Sequence, residues 1–296
     1  MQTWHIQLAG PDDWDGFRRA ARRLLQAATP PEAIHWQAER PAPDGSRSPS
    51  PSHSPSHSPS LWQAAGDAPC DVATLCATLA AQAGPAAPPR PLHVAREALQ
   101  RCQSASLHQS PERFTLLYRW LWRVQTQQTS AHDPLDSDWI AISRLAKAVG
   151  REIHKMRAFV RFRPVPREDS PVLHMAWFEP AHYVTRANAD FFVRRFTNMH
   201  WCLLTPDLGL HWDGQQLATS THCDRRQVPD DHAGDALWLT YYASTFNAAR
   251  YKPLAMEREM PRRYWKNLPE AQLIRALETQ AQQPPHERPA HTARPR

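Results

Sequence analysis

Two short stretches place a carboxylate beside an imidazole. "FEPAH" carries Glu179 and His182, and "HWDG" carries His211 and Asp213, each at the end of an expected strand. Such groups exchange protons in acid–base catalysis or hold a metal. Glu179, His182 and Asp213 are therefore the candidate catalytic residues. A plainer reading stands beside this one: Asp213-Gly214 makes a turn, and Glu179-Pro180 ends its strand. The 16 histidines are spread along the chain, and no H-x-E, H-E-x-x-H or C-x-x-C spacing occurs. No metal site and no cofactor is expected. No Ser/His/Asp order, P-loop or G-x-G-x-x-G points to a hydrolase, an NTPase or a dinucleotide enzyme.

The second kind of chemistry is charge. "REIHKMRAFVRFR" sets Arg151, Lys155, Arg157, Arg161 and Arg163 against one acid, Glu152. "FNAARYKP" and "REMPRRYWKN" add Arg250, Lys252, Arg262 and Arg263, interleaved with Tyr251, Tyr264 and Trp265. Cations alternating with aromatic rings suit a surface that holds phosphates and stacks unpaired bases. Ion pairing for Arg161 and Arg163, and core positions for Tyr264 and Trp265, are the structural alternatives. Residues 111–275 hold 23 cations against 18 acids, which makes a patch and not a histone-like field. A helix-turn-helix at "SRLAKAVG" is disfavoured, because too few residues follow Gly150 to form a recognition helix.

These residues need elements to carry them. "TWHIQL" and "AIHWQ" alternate like strands, and "DDWDGFRRAARRLLQAA" reads as a helix capped by Asp12 or Asp13. Residues 1–40 thus form a small α/β segment. In residues 41–60, eight Ser and six Pro fill 14 of 20 positions, so 41–91 reads as a Ser/Pro-rich, largely disordered linker. Residues 92–280 form the main domain, and 281–296 a disordered tail. "SPERFTLLYRWLWRVQ" is a helix starting at Ser110 and Pro111. "DSDWIAISRLAKAVGREIHKM" is another. Ile142, Leu145, Val149, Ile153 and Met156 line its apolar side, and Arg144, Lys147, Arg151 and Lys155 the opposite one.

A strand is expected at "AFVRFR", with Phe159, Arg161 and Arg163 on one face, and another at "VLHMAWF". A helix at "NADFFVRRFTN" follows. Strands at "WCLLTP" and "GLHWDG" are joined through Asp207-Leu208-Gly209. Helices at "DALWLTYYASTFN" and "LPEAQLIRALE" close the domain. The expected class is α+β, an antiparallel sheet with helices packed on one face.

Composition sets the outer bounds. The 296 residues carry a net charge of +6, a pI of about 9.3 and a mean hydropathy of −0.64. Those values suit a nucleic-acid partner without requiring one. The opening lacks a signal peptide's basic and apolar regions, and no run is long enough for a membrane span. Five cysteines without a paired spacing speak against a disulfide framework. The expected location is cytoplasmic.

From residue 110 onward the chain resembles a bacterial family described as DNA metabolism or repair proteins. "RFTLLYRWLWRV", "REIHKMRAFVRFR", "AWFEPAHYV", "FFVRRF", "WCLLTPD", "HWDG", "LWLTYYASTFNAAR" and "EMPRRYWKNLPE" carry the resemblance over roughly residues 110–275. Ala248 stands where the family pattern has proline. The family is a domain of unknown function, encoded beside a radical-SAM protein and fused to uracil-DNA glycosylase superfamily modules. The resemblance implies DNA and the radical-SAM neighbour as partners, with uracil-DNA glycosylase superfamily proteins as further ones. It implies no reaction. Arg195 of "FFVRRF" and Asn247 of "STFNAAR" join the candidate nucleic-acid-binding residues through it. The leading expectation is a DNA-binding accessory protein of a repair or base-modification system, acting on damaged or single-stranded DNA. An enzyme acting on a nucleobase lesion and a protein-binding adaptor remain open beside it.

Overall fold

The structure, a computed structural model, describes residues 2–38, 69–82, 94–131, 133–165, 167, 171–221, 223–228, 256–257 and 260–268. Asn247, Arg250 and Lys252 lie outside these residues. So do the 41–60 repeat, the helix expected at 235–247, the last helix beyond Leu268 and the 281–296 tail. The class is α+β, with six helices and two sheets among the described residues. The chain divides into two compact units, Met1–Arg151 with His182–Val184, and Glu152–Ala181 with Thr185–Arg296.

In the first unit, β1 (Trp4–Gln7) lies between β2 (Ile34–Gln37) and β3 (Cys70–Asp71), parallel to both. Alternation explains the strand: Trp4 and Ile6 are buried, while His5 and Gln7 are only half-buried. Between β1 and β2 runs α1 (Trp14–Gln26), whose Phe17, Ala20, Ala21 and Leu24 enter the core. Asp13 caps it by accepting the Gly16 N–H at 2.8 Å. A Cβ on Gly16 would stand 2.0 Å from an Asp13 oxygen, so the cap needs glycine there. The helix ends at Ala28, whose φ is +50°. Ala28 N–H bonds to Leu25 O and Thr29 N–H to Leu24 O, a Schellman ending without its usual glycine.

Residues 70–82, inside the stretch assigned to the linker, form β3 and then α2 (Val72–Gln82), which buries Val72, Leu75 and Leu79. The same core takes in α3 (Arg96–Ser106), α4 (Arg113–Gln125) and the first part of α5 (Ser137–Phe159). Arg113 is 4% exposed and bonds three carbonyls, those of Ser106, Ser110 and Pro11. The start of α5 is held by Asp136 and Asp138, both buried and ion-paired with Arg123, Asp138 also with Arg119.

The second unit contains a five-stranded sheet in the order β4-β5-β6-β7-β8. Its strands are β4 (Arg163–Val165), β5 (Leu173–Trp177), β6 (His200–Leu204), β7 (Gly209–Trp212) and β8 (Leu217–Ser220). The sheet is mixed, not purely antiparallel as expected, because β5 and β6 run parallel. The segment between them, which includes α6 (Ala189–Arg195), carries the chain back so that both strands point the same way. Trp201 of β6 meets Phe192 of α6 on one face of the sheet, while Cys202 and Leu204 pack with Val228 on the other.

The expected strand at 158–163 is also corrected. The helical spacing of Ile153, Met156 and Val160 outlasts the β-formers, and α5 continues to Phe159. Arg161 then donates to the carbonyls of Ala158 and Val160 at 2.7 and 3.3 Å, closing the helix end instead of lying in a ladder.

Candidate nucleic-acid interface

Asn188 organises the exposed edge of the second unit. It is fully buried and stands at the N-cap position of α6, yet its side chain makes no cap bond. Its amide instead donates to Met156 Sδ at 3.2 Å and accepts Arg157 Nε at 2.7 Å. The exposed Arg157 is thereby held over the Phe191 ring, 4.8 Å from its centroid. On the same helix Arg195 lies over Phe196 at 5.5 Å, and both Arg194 and Arg195 are exposed. Cations fixed above rings keep their donors while losing little rotamer freedom. Lys155 is half-buried, and Arg163 begins β4 opposite Met175. Arg151 is exposed on α5 in the first unit, with Arg144 and Lys147.

Arg263 and Tyr264 come together, but around an acid. Glu152 is 3% exposed, and it accepts Tyr264 Oη at 2.6 Å, Arg263 Nη2 at 2.5 Å and the Ala181 N–H at 2.9 Å. The Tyr264 ring is covered by Phe159, 5.5 Å away, and by Phe178, stacked at 5.2 Å. Burial, reinforced by the Glu152 carboxylate, pushes the Tyr264 hydroxyl well above its ordinary range, so it stays a donor. Tyr264 therefore offers no face to a base, which corrects its expected stacking role. Trp265 is half-buried and donates to Met260 O at 2.9 Å, with Arg262 over its ring at 5.6 Å. Arg262 also pairs with Glu257.

The catalytic candidates sit in three settings. Glu179 accepts Trp177 Nε1 at 2.8 Å just beyond β5. Asp213 takes the N–H groups of Gln215 and Gln216 at 2.8 and 2.6 Å, which closes the β7–β8 turn and lowers its carboxyl pKa. His182 belongs to the first unit. Its ring centroid is 4.2 Å from that of His108, and its Nδ1 faces the Gln109 N–H at 3.4 Å.

A relay missed in the sequence lies on the sheet instead. Cys202 Sγ is 3.0 Å from His211 Nδ1, His211 Nε2 is 2.7 Å from Ser220 Oγ, and Ser220 Oγ is 3.6 Å from Cys223 Sγ. Strand register makes it, since Cys202 stands opposite His211. Burial pushes the Cys202 thiol up to about 12 and lowers the His211 imidazole, so the thiol remains protonated and the ring neutral. Such a chain orders a sheet face; it does not present a thiolate. Among the described residues no group of three or more His, Cys, Asp or Glu side chains is arranged to hold a metal ion. None of the described helices is long and apolar enough to cross a membrane.

Comparison with family models matches residues 111–270, over half of the chain, to the domain of unknown function DUF4130. The chain belongs to the DUF4130 family. No curated protein and no solved structure matches it. The DUF4130 stretch takes in α4, α5, all five strands of the mixed sheet, Glu152 and its partners, and the Asn188–Arg157 clamp. It leaves out α1 to α3 and the parallel sheet.

Proposed function

We propose that this DUF4130 protein is a DNA-associated accessory component of a repair or base-modification system, binding damaged or single-stranded DNA. The observation that supports it best is the pair of exposed arginines held over rings, Arg157 on Phe191 and Arg195 on Phe196. Arginines so placed are held in position with guanidinium donors available to phosphate oxygens. The sequence resemblance supports the setting: a radical-SAM protein as the working partner, and uracil-DNA glycosylase superfamily proteins as associates. Fluorescence anisotropy with a labelled single-stranded oligonucleotide tests the reading. Wild-type protein binds with an affinity that falls linearly against salt on logarithmic axes. The Arg157→Ala/Arg195→Ala protein shows a slope lower by about 1.4, for two lost single-strand phosphate contacts. An unchanged slope in a folded double variant removes this surface from the reading.

A further inference from the structure

Helix α1 turns one face to the core and the other to solvent. Its inner face is packed through Trp14, Phe17, Ala20, Ala21 and Leu24. Outside, Arg18, Arg19, Arg22 and Arg23 are all exposed. At 100° per residue these four fall within an arc of about 140°. Arg18 and Arg22, and Arg19 and Arg23, are like-charged pairs one turn apart, an arrangement that weakens a helix. The compensation is slight. Arg18 has Asp15 at 3.6 Å, itself 84% exposed, and Arg23 reaches Gln26 at 3.3 Å. Among the described residues no acid pairs with Arg19 or Arg22.

We propose that this face is a second contact for the sugar-phosphate backbone of nucleic acid, its four arginines meeting phosphate oxygens. The inference rests on the nucleic-acid reading above and extends it to a helix outside the DUF4130 match. Two rows of guanidinium groups, each with a rise of about 6 Å between members, suit successive phosphates and bidentate bonding. A membrane surface fits less well. A helix lying on lipid inserts its apolar side, and that side of α1 is in the core.

The test uses the full chain with Arg19→Ala/Arg22→Ala and Arg19→Lys/Arg22→Lys. Single-strand affinity is titrated against salt, and thermal melting is followed in parallel. The alanine pair lowers the salt slope by about 1.4 without lowering the melting temperature, because it relieves repulsion. The lysine pair keeps the slope. A wild-type slope in the alanine pair, with Arg157→Ala/Arg195→Ala still reducing it, overturns this inference and leaves the DNA reading standing. Absence of oligonucleotide binding by the wild type overturns both. Binding of the wild type to phosphatidylserine vesicles or a poly-Glu peptide, abolished by the alanine pair while the DNA slope stays unmoved, also overturns it.

Discussion

Tyr264 donates its phenolic hydrogen to Glu152 across 2.6 Å, joining two residues 112 positions apart in the chain. The bond closes a buried group of donors around one carboxylate and ties the 260–268 segment to α5. Three substitutions rank its parts. Glu152→Ala leaves the Tyr264 hydroxyl and the Ala181 N–H without their acceptor, at roughly 1–3 kcal/mol each. Tyr264→Phe removes two bonds, the one donated to Glu152 and the one accepted from Arg263, the first worth about 1.5–3 kcal/mol. Arg263→Ala takes the counter-charge from a carboxylate that stays buried, and water at the half-exposed arginine site offsets only part of that, leaving about 1–3 kcal/mol. Denaturant unfolding of the three variants gives the order directly. A result with Arg263→Ala the most damaging would mean that the ion pair, and not the buried bonds, holds the segment.

The tilted contact of the His108 and His182 rings makes the first unit sensitive to acid. Burial, helped by His182 and Arg113, pushes the His108 imidazole down to about 4 from an ordinary 6.5. A histidine held neutral in the native state charges first in the unfolded chain. Its contribution is complete above pH about 6.5 and declines as pH falls from there toward 4. Melting temperatures between pH 7 and 4 for wild type and His108→Gln check this. The variant loses less stability over that window than the wild type; parallel curves would show that His108 titrates normally.

Two helices end on residues that would do better as glycine. Ala28 closes α1 at φ +50°, and Gln127 closes α4 at φ +58° with Gln127 N–H on Val124 O and Gln128 N–H on Arg123 O. A side chain in the left-handed region costs about 1–2 kcal/mol, part of which glycine returns as chain entropy. Ala28→Gly and Gln127→Gly should each stabilise by about 0.5–1 kcal/mol by chemical denaturation. Destabilisation by either would mean that the turn there is not as described.

Much of the frame was legible in local pattern. The 3.6-residue spacing of α1 and its Asp13 cap, the alternation of β1, and the turn between β6 and β7 all lie within a few residues of one another. What escaped needed partners far away. The parallel pairing of β5 with β6 depends on the intervening segment and not on either strand's composition. Residues 70–82 were hidden because a two-residue strand has no period, and α2 follows it with apolar residues on most sides, next to a Ser/Pro run. Among site residues, Arg157 and Arg263 were visible as cations. Asn188, 31 positions from Arg157, carries no signal beyond a helix-starting type. For Tyr264 the structure takes the core alternative over stacking, a choice hidden in sequence because an aromatic among arginines looks the same whether it faces water or a buried acid.

The position of β1 bears on how the chain is made. It leaves the ribosome before its two neighbours and is the middle strand of its sheet, flanked by β2 and by β3, which ends at Asp71. Both edges of β1 therefore remain unpaired until later sequence arrives, and the second edge waits through more than sixty further residues. The low-complexity run sits inside that interval, so its length sets how long an apolar central strand stands open during synthesis.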